Sequence, residues 1–280
     1  MQIADSHNDV FYKFRTYDKI SDYLKKVESE GVSNLFCAYY SKTFDKQVSL
    51  KKIKNRFDFV RKISKIAVPT IENAWFLTPE NLEEFIHIKP FCVGLCHNDK
   101  NFLCGGAKSS GGITKWGEKV IKELEKANII IDTAHMNRQS FDEFTELTTK
   151  PLFDSHTCFS DIFDHFRNIN DELITKIVES KGYIGLAMYP DFWGKKSLSI
   201  KRIVQGIVWF TGQYGFDTLG LGTDFNGIKK YPKGLKSYND FYKLELELLC
   251  AGMNRENIDK FFYKNLLCVL TKPNFCHSFI

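Results

Sequence analysis

Along this chain, short apolar or β-branched runs alternate eight times with longer segments of helical periodicity, and that alternation constrains the fold more than any other feature. The predicted strands are Gln2–Ala4, Asn34–Tyr40, Lys65–Ile71, Phe91–Cys96, Ile129–Asp132, Leu152–Asp154, Tyr183–Met188 and Thr218–Gly222. The predicted helices are Ile20–Glu30, Leu50–Ser64, Pro79–Ile86, Thr114–Ala127, Ser140–Thr148, Asp171–Ser180, Ile200–Tyr214 and Tyr238–Ala251, and Arg255–Leu270 closes the chain. Thr78-Pro79-Glu80 supplies a cap, a first-turn proline and an early acidic residue for one helix, while Thr114 ahead of Gly117-Glu118 is a weaker cap. Strand-then-helix alternation means a parallel sheet with crossover helices. At 280 residues the natural closed form is an α/β, TIM-like (β/α)8 barrel. Without a repeat, a low-complexity tract or a proline-rich linker, one domain over residues 1–280 is expected.

Composition narrows the function. With 43% hydrophobic and 26% charged residues the chain can bury a core. The net charge of +5 is spread over scattered Lys and Arg, which reads as solubility and excludes a nucleic-acid partner. Met1-Gln2-Ile3-Ala4-Asp5-Ser6-His7 is no charged-then-apolar leader, no apolar run has spanning length, and the C-terminus lacks a lipid-anchor pattern. A cytoplasmic protein without a membrane partner is expected. Cys37, Cys92, Cys96, Cys104, Cys158, Cys250, Cys268 and Cys276 form no Cys-x-x-Cys pair and read as buried free thiols in a reducing compartment. Cys92, Cys96, His97 and Cys104 come nearest to a zinc cluster but lack the knuckle spacing.

The chemistry collects after the strands. Asp5, His7 and Asp9 follow the first; Glu72 the third; His97 the fourth; His135 the fifth; His156 the sixth; Tyr189 the seventh; Asp224 the eighth. In a parallel barrel these ends open on one face, so four of the seven histidines would meet there. His7 and Asp9, two apart on extended chain, leave on the same side and make a short metal clamp. His135 and His156 can supply nitrogen to a second ion, and Glu72, with two oxygens, suits a bridge. Nitrogen and oxygen donors without thiolate fit zinc best, with manganese, iron or cobalt as other candidates. Two ions about 3.5–4 Å apart can share a nucleophilic hydroxide. Each residue also has a plain structural reading: Asp-x-His-x-Asp in a cap or turn, Glu72 starting a helix, Asp224 capping the turn before Phe225-Asn226-Gly227, Tyr189 in packing. By spacing alone Arg167 is a solvated loop arginine, and the Gly105-Gly106 and Gly111-Gly112 pairs give loop flexibility without the context of a phosphate-binding loop.

Asp5-Ser6-His7-Asn8-Asp9 is similar to the Asp-Gly-His-Asn-Asp opening of the membrane (renal) dipeptidases, peptidase family M19 of the amidohydrolase superfamily. Leu95-Cys96-His97-Asn98, Gly112-Ile113-Thr114-Lys115-Trp116-Gly117, Ile131-Asp132-Thr133-Ala134-His135, Asp154-Ser155-His156-Thr157, Phe166-Arg167-Asn168-Ile169 and Gly222-Thr223-Asp224-Phe225-Asn226-Gly227 resemble further segments of that family in order, with a weaker echo at Lys264-Asn265-Leu266-Leu267. The resemblance implies two divalent metal ions, most simply zinc, one held by His7 and Asp9 and one by His135 and His156, with Glu72 between them. It implies that His97 stabilises the oxyanion, that Arg167 holds the substrate's terminal carboxylate, and that Asp224 handles protons. Tyr189 aligns with the family's substrate-side tyrosine after a one-residue slip. The chain departs from the family in having Glu72-Asn73-Ala74 for Glu-Gly-Gly, and in a shorter stretch between strands three and four and at the C-terminus. The strand-three loop is therefore expected to differ. The implied activity is hydrolysis of a dipeptide by a hydroxide shared between the ions. Other small amides (a β-lactam, an N-acyl amino acid, a cysteinylglycine conjugate) and a non-catalytic metal-binding barrel are the alternatives, and a homodimer is compatible with this reading.

Overall fold

Eight parallel strands close into a barrel in the computed structural model, which describes residues 1–194 and 197–271. The strands are β1 (Ile3–Asn8), β2 (Val32–Tyr40), β3 (Ala67–Glu72), β4 (Cys92–Gly94), β5 (Ile130–Asp132), β6 (Phe153–Thr157), β7 (Tyr183–Leu186) and β8 (Leu219–Leu221), paired in sequence order. Closure runs through Asp5 opposite Leu221. The predicted (β/α)8 alternation is what the chain adopts. Helices α1 (Val10–Lys13), α2 (Tyr17–Ser29), α3 (Leu50–Ile63), α4 (Leu82–Ile88), α5 (Lys115–Lys126), α6 (Arg138–Leu147), α7 (Asp171–Glu179), α8 (Ile200–Tyr214), α9 (Phe241–Cys250), α10 (Arg255–Asp259) and α11 (Asn265–Thr271) surround or close it. Among the described residues no helix is long and apolar enough to cross a membrane.

The apolar residues form two bodies. The larger lies between strands and helices, with fully buried Leu35, Phe57, Val60, Leu124 and Phe210 among its members. The smaller joins Ala4, Phe36, Phe91, Cys92, Ile130, Phe153 and Tyr183, mostly from the N-terminal halves of the strands, to Leu266 and Val269 of α11. The barrel floor is thus filled by rings, Phe153 stacking on Tyr183 at 5.4 Å, and α11 lies across it. Asn265 ties that helix down, its side-chain amide donating to the carbonyls of Phe216 and Leu219. With the floor packed, chemistry is left to the other end.

Boundaries moved where polarity misled. Strand β1 runs on through Asp5, His7 and Asn8, and β6 through Ser155 and His156, because these polar side chains are buried and paired inside the barrel mouth instead of marking a loop. Asp5 accepts from the Thr223 amide and hydroxyl at 2.9 and 2.6 Å. The Ser6 hydroxyl lies within hydrogen-bond reach of the Ser155 and Leu221 carbonyls. The helix expected from Pro79 begins at Leu82, since the Asn81 side chain accepts from the Thr78 amide and donates to the Phe76 carbonyl, holding a turn there. The segment expected as one helix from Tyr238 opens as a 3₁₀ turn over Tyr238–Asp240 under a Ser237/Asp240 capping box. The short α1 and the 3₁₀ turn Pro190–Trp193 are too brief to show periodicity. Of the cysteines expected to be buried, Cys37, Cys92, Cys96, Cys104 and Cys158 are; Cys250 and Cys268 are exposed, the latter because α11 buries its Leu266 and Val269 face. Cys276 lies outside the described residues.

Candidate metal centre

Strand register sets the site. Tyr40 and Glu72 pair at the ends of β2 and β3, placing the Glu72 carboxylate at the barrel mouth, only 8% exposed. His7 leaves β1 and His156 leaves β6, their rings 3.7 Å apart between centroids. His135 comes three residues after β5 and Asp224 three after β8, and both adopt a left-handed backbone, at φ 70° and 61°. That conformation is costly for a residue with a Cβ and tends to persist at working sites. Asp9 follows β1 directly at the start of α1. A Cβ on Gly227 would lie 2.1 Å from Asp9 Oδ2, so only glycine leaves that carboxylate its room.

Glu72 is the hub. Its Oε1 lies 2.9 Å from His135 Nε2 and 3.8 Å from His156 Nε2 and His97 Nε2; its Oε2 lies 3.8 Å from His7 Nε2. His7 Nε2 is in turn 3.4 Å from Asp9 Oδ2, and His135 Nε2 is 3.0 Å from His156 Nε2. Two groups of ligand atoms result, His7–Asp9–Glu72 and Glu72–His135–His156, sharing Glu72, and a third unites His7, His156 and Asp224. The far nitrogens are held from behind. His135 Nδ1 is 3.1 Å from Asn98 Oδ1, and His156 Nδ1 is 2.9 Å from the Ser155 hydroxyl. That arrangement aims Nε2 of each ring at Glu72, as ligand histidines require.

Burial favours the neutral forms of Asp9, Glu72, His135, His156 and Asp224. Burial raises the Asp9 carboxyl to about 7. Burial and then the charge of Asp9 raise Asp224 to about 8 and Glu72 well above the usual carboxylate range. Burial, then Arg167, holds His135 below its ordinary value; burial and the His7 ring act likewise on His156. His97 is pushed down to about 3 by burial, then by Arg167. Carboxylates that resist ionising and imidazoles that resist protonating, with lone pairs converging, are the donor set of a divalent ion. His7 Nε2, buried and lacking a hydrogen-bond partner, fits the same set. The residues therefore fit divalent metal of the kind bound by nitrogen and oxygen donors.

The remaining predicted residues line the cavity above. Asp9, Tyr12, Tyr40, Glu72, His97 and Phe192 border a pocket of about 220 Å³, which adjoins a lobe of about 440 Å³ holding Arg167, Tyr189 and Asp224. Arg167 is buried, not the solvated loop residue its spacing suggests: it is 5% exposed, its Nη2 donates to the His156 carbonyl at 2.9 Å, and its guanidinium sits over the Phe192 ring. The Tyr189 hydroxyl is engaged with Asp191 at 2.6 Å. Asn73, where glycine would be expected, takes φ 70°, which asparagine tolerates. Its amide donates to the Ser41 carbonyl and the Thr43 hydroxyl. Gly106 is not a flexible linker; a Cβ there would lie 2.0 Å from the His97 carbonyl, so the loop packs against the site. Asn98, Ser155, Tyr12, Tyr40 and Phe192 were not singled out beforehand. Asn98 and Ser155 carry a signal, each standing next to a ligand-type histidine in the chain. The aromatic residues carried no sequence signal.

Comparison with known proteins gives the following. The family model "Membrane dipeptidase (Peptidase family M19)" matches residues 27–277. A protein of Schizosaccharomyces pombe named as an uncharacterised dipeptidase is 26% identical over 90% of this chain and 63% of its own length. The dipeptidase tcpJ of Claviceps purpurea is 24% identical over 64% of this chain and 43% of its own. The chain thus spans less than two thirds of these curated relatives. Two solved structures share the fold: a dipeptidase AC, a metallo peptidase of family M19, with TM-score 0.85, 18% identity and 99% of each chain covered, and a Rhodobacter sphaeroides metallo peptidase liganded with a phosphinate mimic of L-Ala-D-Ala, with TM-score 0.79, 17% identity and 95% and 97% covered.

Proposed function

The chain belongs to the membrane dipeptidases, peptidase family M19, and on that premise we propose that it is a zinc-dependent dipeptidase whose single catalytic domain spans residues 1–280. One observation carries the reading: Glu72 is shared by the ligand groups His7–Asp9–Glu72 and Glu72–His135–His156. Divalent ions bound there supply Lewis acidity toward a carbonyl and make water a stronger acid.

The chain's own residues do the rest. Asp224, a buried carboxyl beside Asp9, accepts a proton from the attacking water and returns it to the leaving amine. His97 stays neutral and offers a ring N–H to the developing oxyanion, a donor typically contributing about 3 kcal/mol. Arg167, with Nε unpartnered in a buried setting, forms a charge-assisted pair with the substrate's terminal carboxylate. This restricts substrates to those that end close to the scissile bond. Tyr189 borders the same lobe on the substrate's side.

The test is hydrolysis of L-X-L-X and L-X-D-X dipeptides by the zinc-reconstituted chain, with His135→Ala as control. Turnover that vanishes in the variant supports the peptidase and reports its stereochemical preference. Absent turnover with two metals still bound per chain moves the activity to another small amide, and absent turnover without metal overturns the enzyme reading. For Arg167→Ala the expected outcome is a raised KM for dipeptides; unaltered kinetics remove its assigned role.

A further inference from the structure

The lobe beyond the metal centre is more basic than a dipeptide's single carboxylate requires. Lys108 and Lys229 stand in its wall with Arg167. Among the described residues neither lysine has a carboxylate within 4.0 Å, whereas their neighbour Lys230 pairs with Asp191 at 3.3 Å. Asp191 also takes the Tyr189 hydroxyl, so it is already satisfied from two sides. The lobe's other carboxylate, Asp224, faces the metal ligands His7 and His156. Lys108 is not loose at the surface: its ammonium sits 4.5 Å from the centre of the Phe166 ring, and Phe166 directly precedes Arg167. His165, 4.3 Å from that ring between centroids, lies in the field of both cations. Burial, then Arg167, keep its imidazole below the ordinary value; Asp191 opposes this and Lys108 adds to it in smaller part. One buried and two exposed cations therefore share a cavity with Asp191 and Asp224, and among the described residues neither lysine is paired with a carboxylate.

Resting on the dipeptidase reading, we propose that the residue on the carboxyl side of the scissile bond is acidic, its α-carboxylate held by Arg167 and its side-chain carboxylate received by Lys108 and Lys229. The two lysines are specificity determinants. Because they are exposed, their attraction is partly screened by water and salt. The expected preference for an acidic over an isosteric amide side chain is about three- to tenfold at low ionic strength, as befits two exposed ion pairs.

The experiment compares kcat/KM for Ala-Glu and Ala-Gln on the metal-loaded full chain, and beside it measures the affinity of free glutamate and glutamine by titration calorimetry. The wild type should favour the acidic member in both. The ratio should fall toward one in high salt and in Lys108→Met/Lys229→Met, and persist in Lys108→Arg/Lys229→Arg, which keeps both charges. A ratio of one in the wild type, or one that the Met variant leaves intact, overturns the proposal. The two readouts separate the hypotheses. Neutral dipeptides cleaved without any acidic preference leave the peptidase standing and remove this inference. Glutamate preferred through the two lysines, with no dipeptide cleaved, leaves the acidic subsite and removes the peptidase.

Discussion

His135 and His156 each present Nε2 to Glu72 because something else occupies Nδ1, Asn98 in one case and the Ser155 hydroxyl in the other. Fixing the far nitrogen fixes both tautomer and ring direction, and loss of such a partner typically costs about 10–100-fold in metal affinity or activity. Asn98→Ala is expected to weaken zinc binding by about that factor, read by competition with a chromophoric chelator; unchanged affinity would mean that the ring is held by packing alone. The carboxylates make a second prediction. Asp9 and Asp224 titrate at about 7 and about 8 in the folded chain against 3.8 for the free group. Below about 6.5 the depressed His97, His135 and His156, charged in the unfolded chain and neutral in the folded one, act in the opposite sense; above it the folded metal-free protein binds more protons than the unfolded chain, and stability falls as pH rises from about 6.5 to about 8. Thermal melts of chelator-treated protein should show that fall, Asp224→Asn should flatten it, and zinc, which favours the ionised carboxylates, should oppose it. A melting temperature that climbs from about pH 6.5 to 8 without metal would contradict the burial argument.

At the scale of elements, caps and turns decide where the chain leaves each strand or helix. Thr114 caps α5, its hydroxyl accepting from the Gly117 amide at 2.9 Å, although the residues after it make a poor sequence signature. Thr114→Ala should cost about 1 kcal/mol in urea denaturation, and no loss would place the helix start elsewhere. Ile200–Tyr214 was readable to the residue, with Ser199 as cap and Gly215 beyond the end, because a local signal stands at each boundary. The ends of β1 and β6 were not readable. Their last residues are polar, and whether Asp-Ser-His lies in a strand or a loop depends on partners more than a hundred residues away, as when the Ser6 hydroxyl meets the Ser155 carbonyl. Pro79 signalled a helix and received a turn because Asn81, a non-obvious competitor, bonds back to Thr78 and Phe76.

Over the whole molecule the barrel separates stability from chemistry. Rings from the strands fill one end beneath α11, and the polar cluster occupies the other. Leu266 belongs to the filled end, 1% exposed. Leu266→Ala should destabilise by about 2–5 kcal/mol through the cavity it leaves, with zinc affinity preserved since the ligands lie at the opposite face. Weakened zinc binding in a still-folded variant would show the two ends to be coupled. The alternation of short apolar runs with helical periods was enough to set strand number, direction and closure, and to bring His7, Glu72, His97, His135, His156 and Asp224 to one face, because periodicity and strand polarity are local properties. Tertiary packing alone decided that Arg167 is buried against Phe192, that Glu72 is the atom-level hub, and that Lys108 and Lys229 share a lobe. Burial, distance and electric field arise from residues remote in the chain, and no local window of sequence contains them.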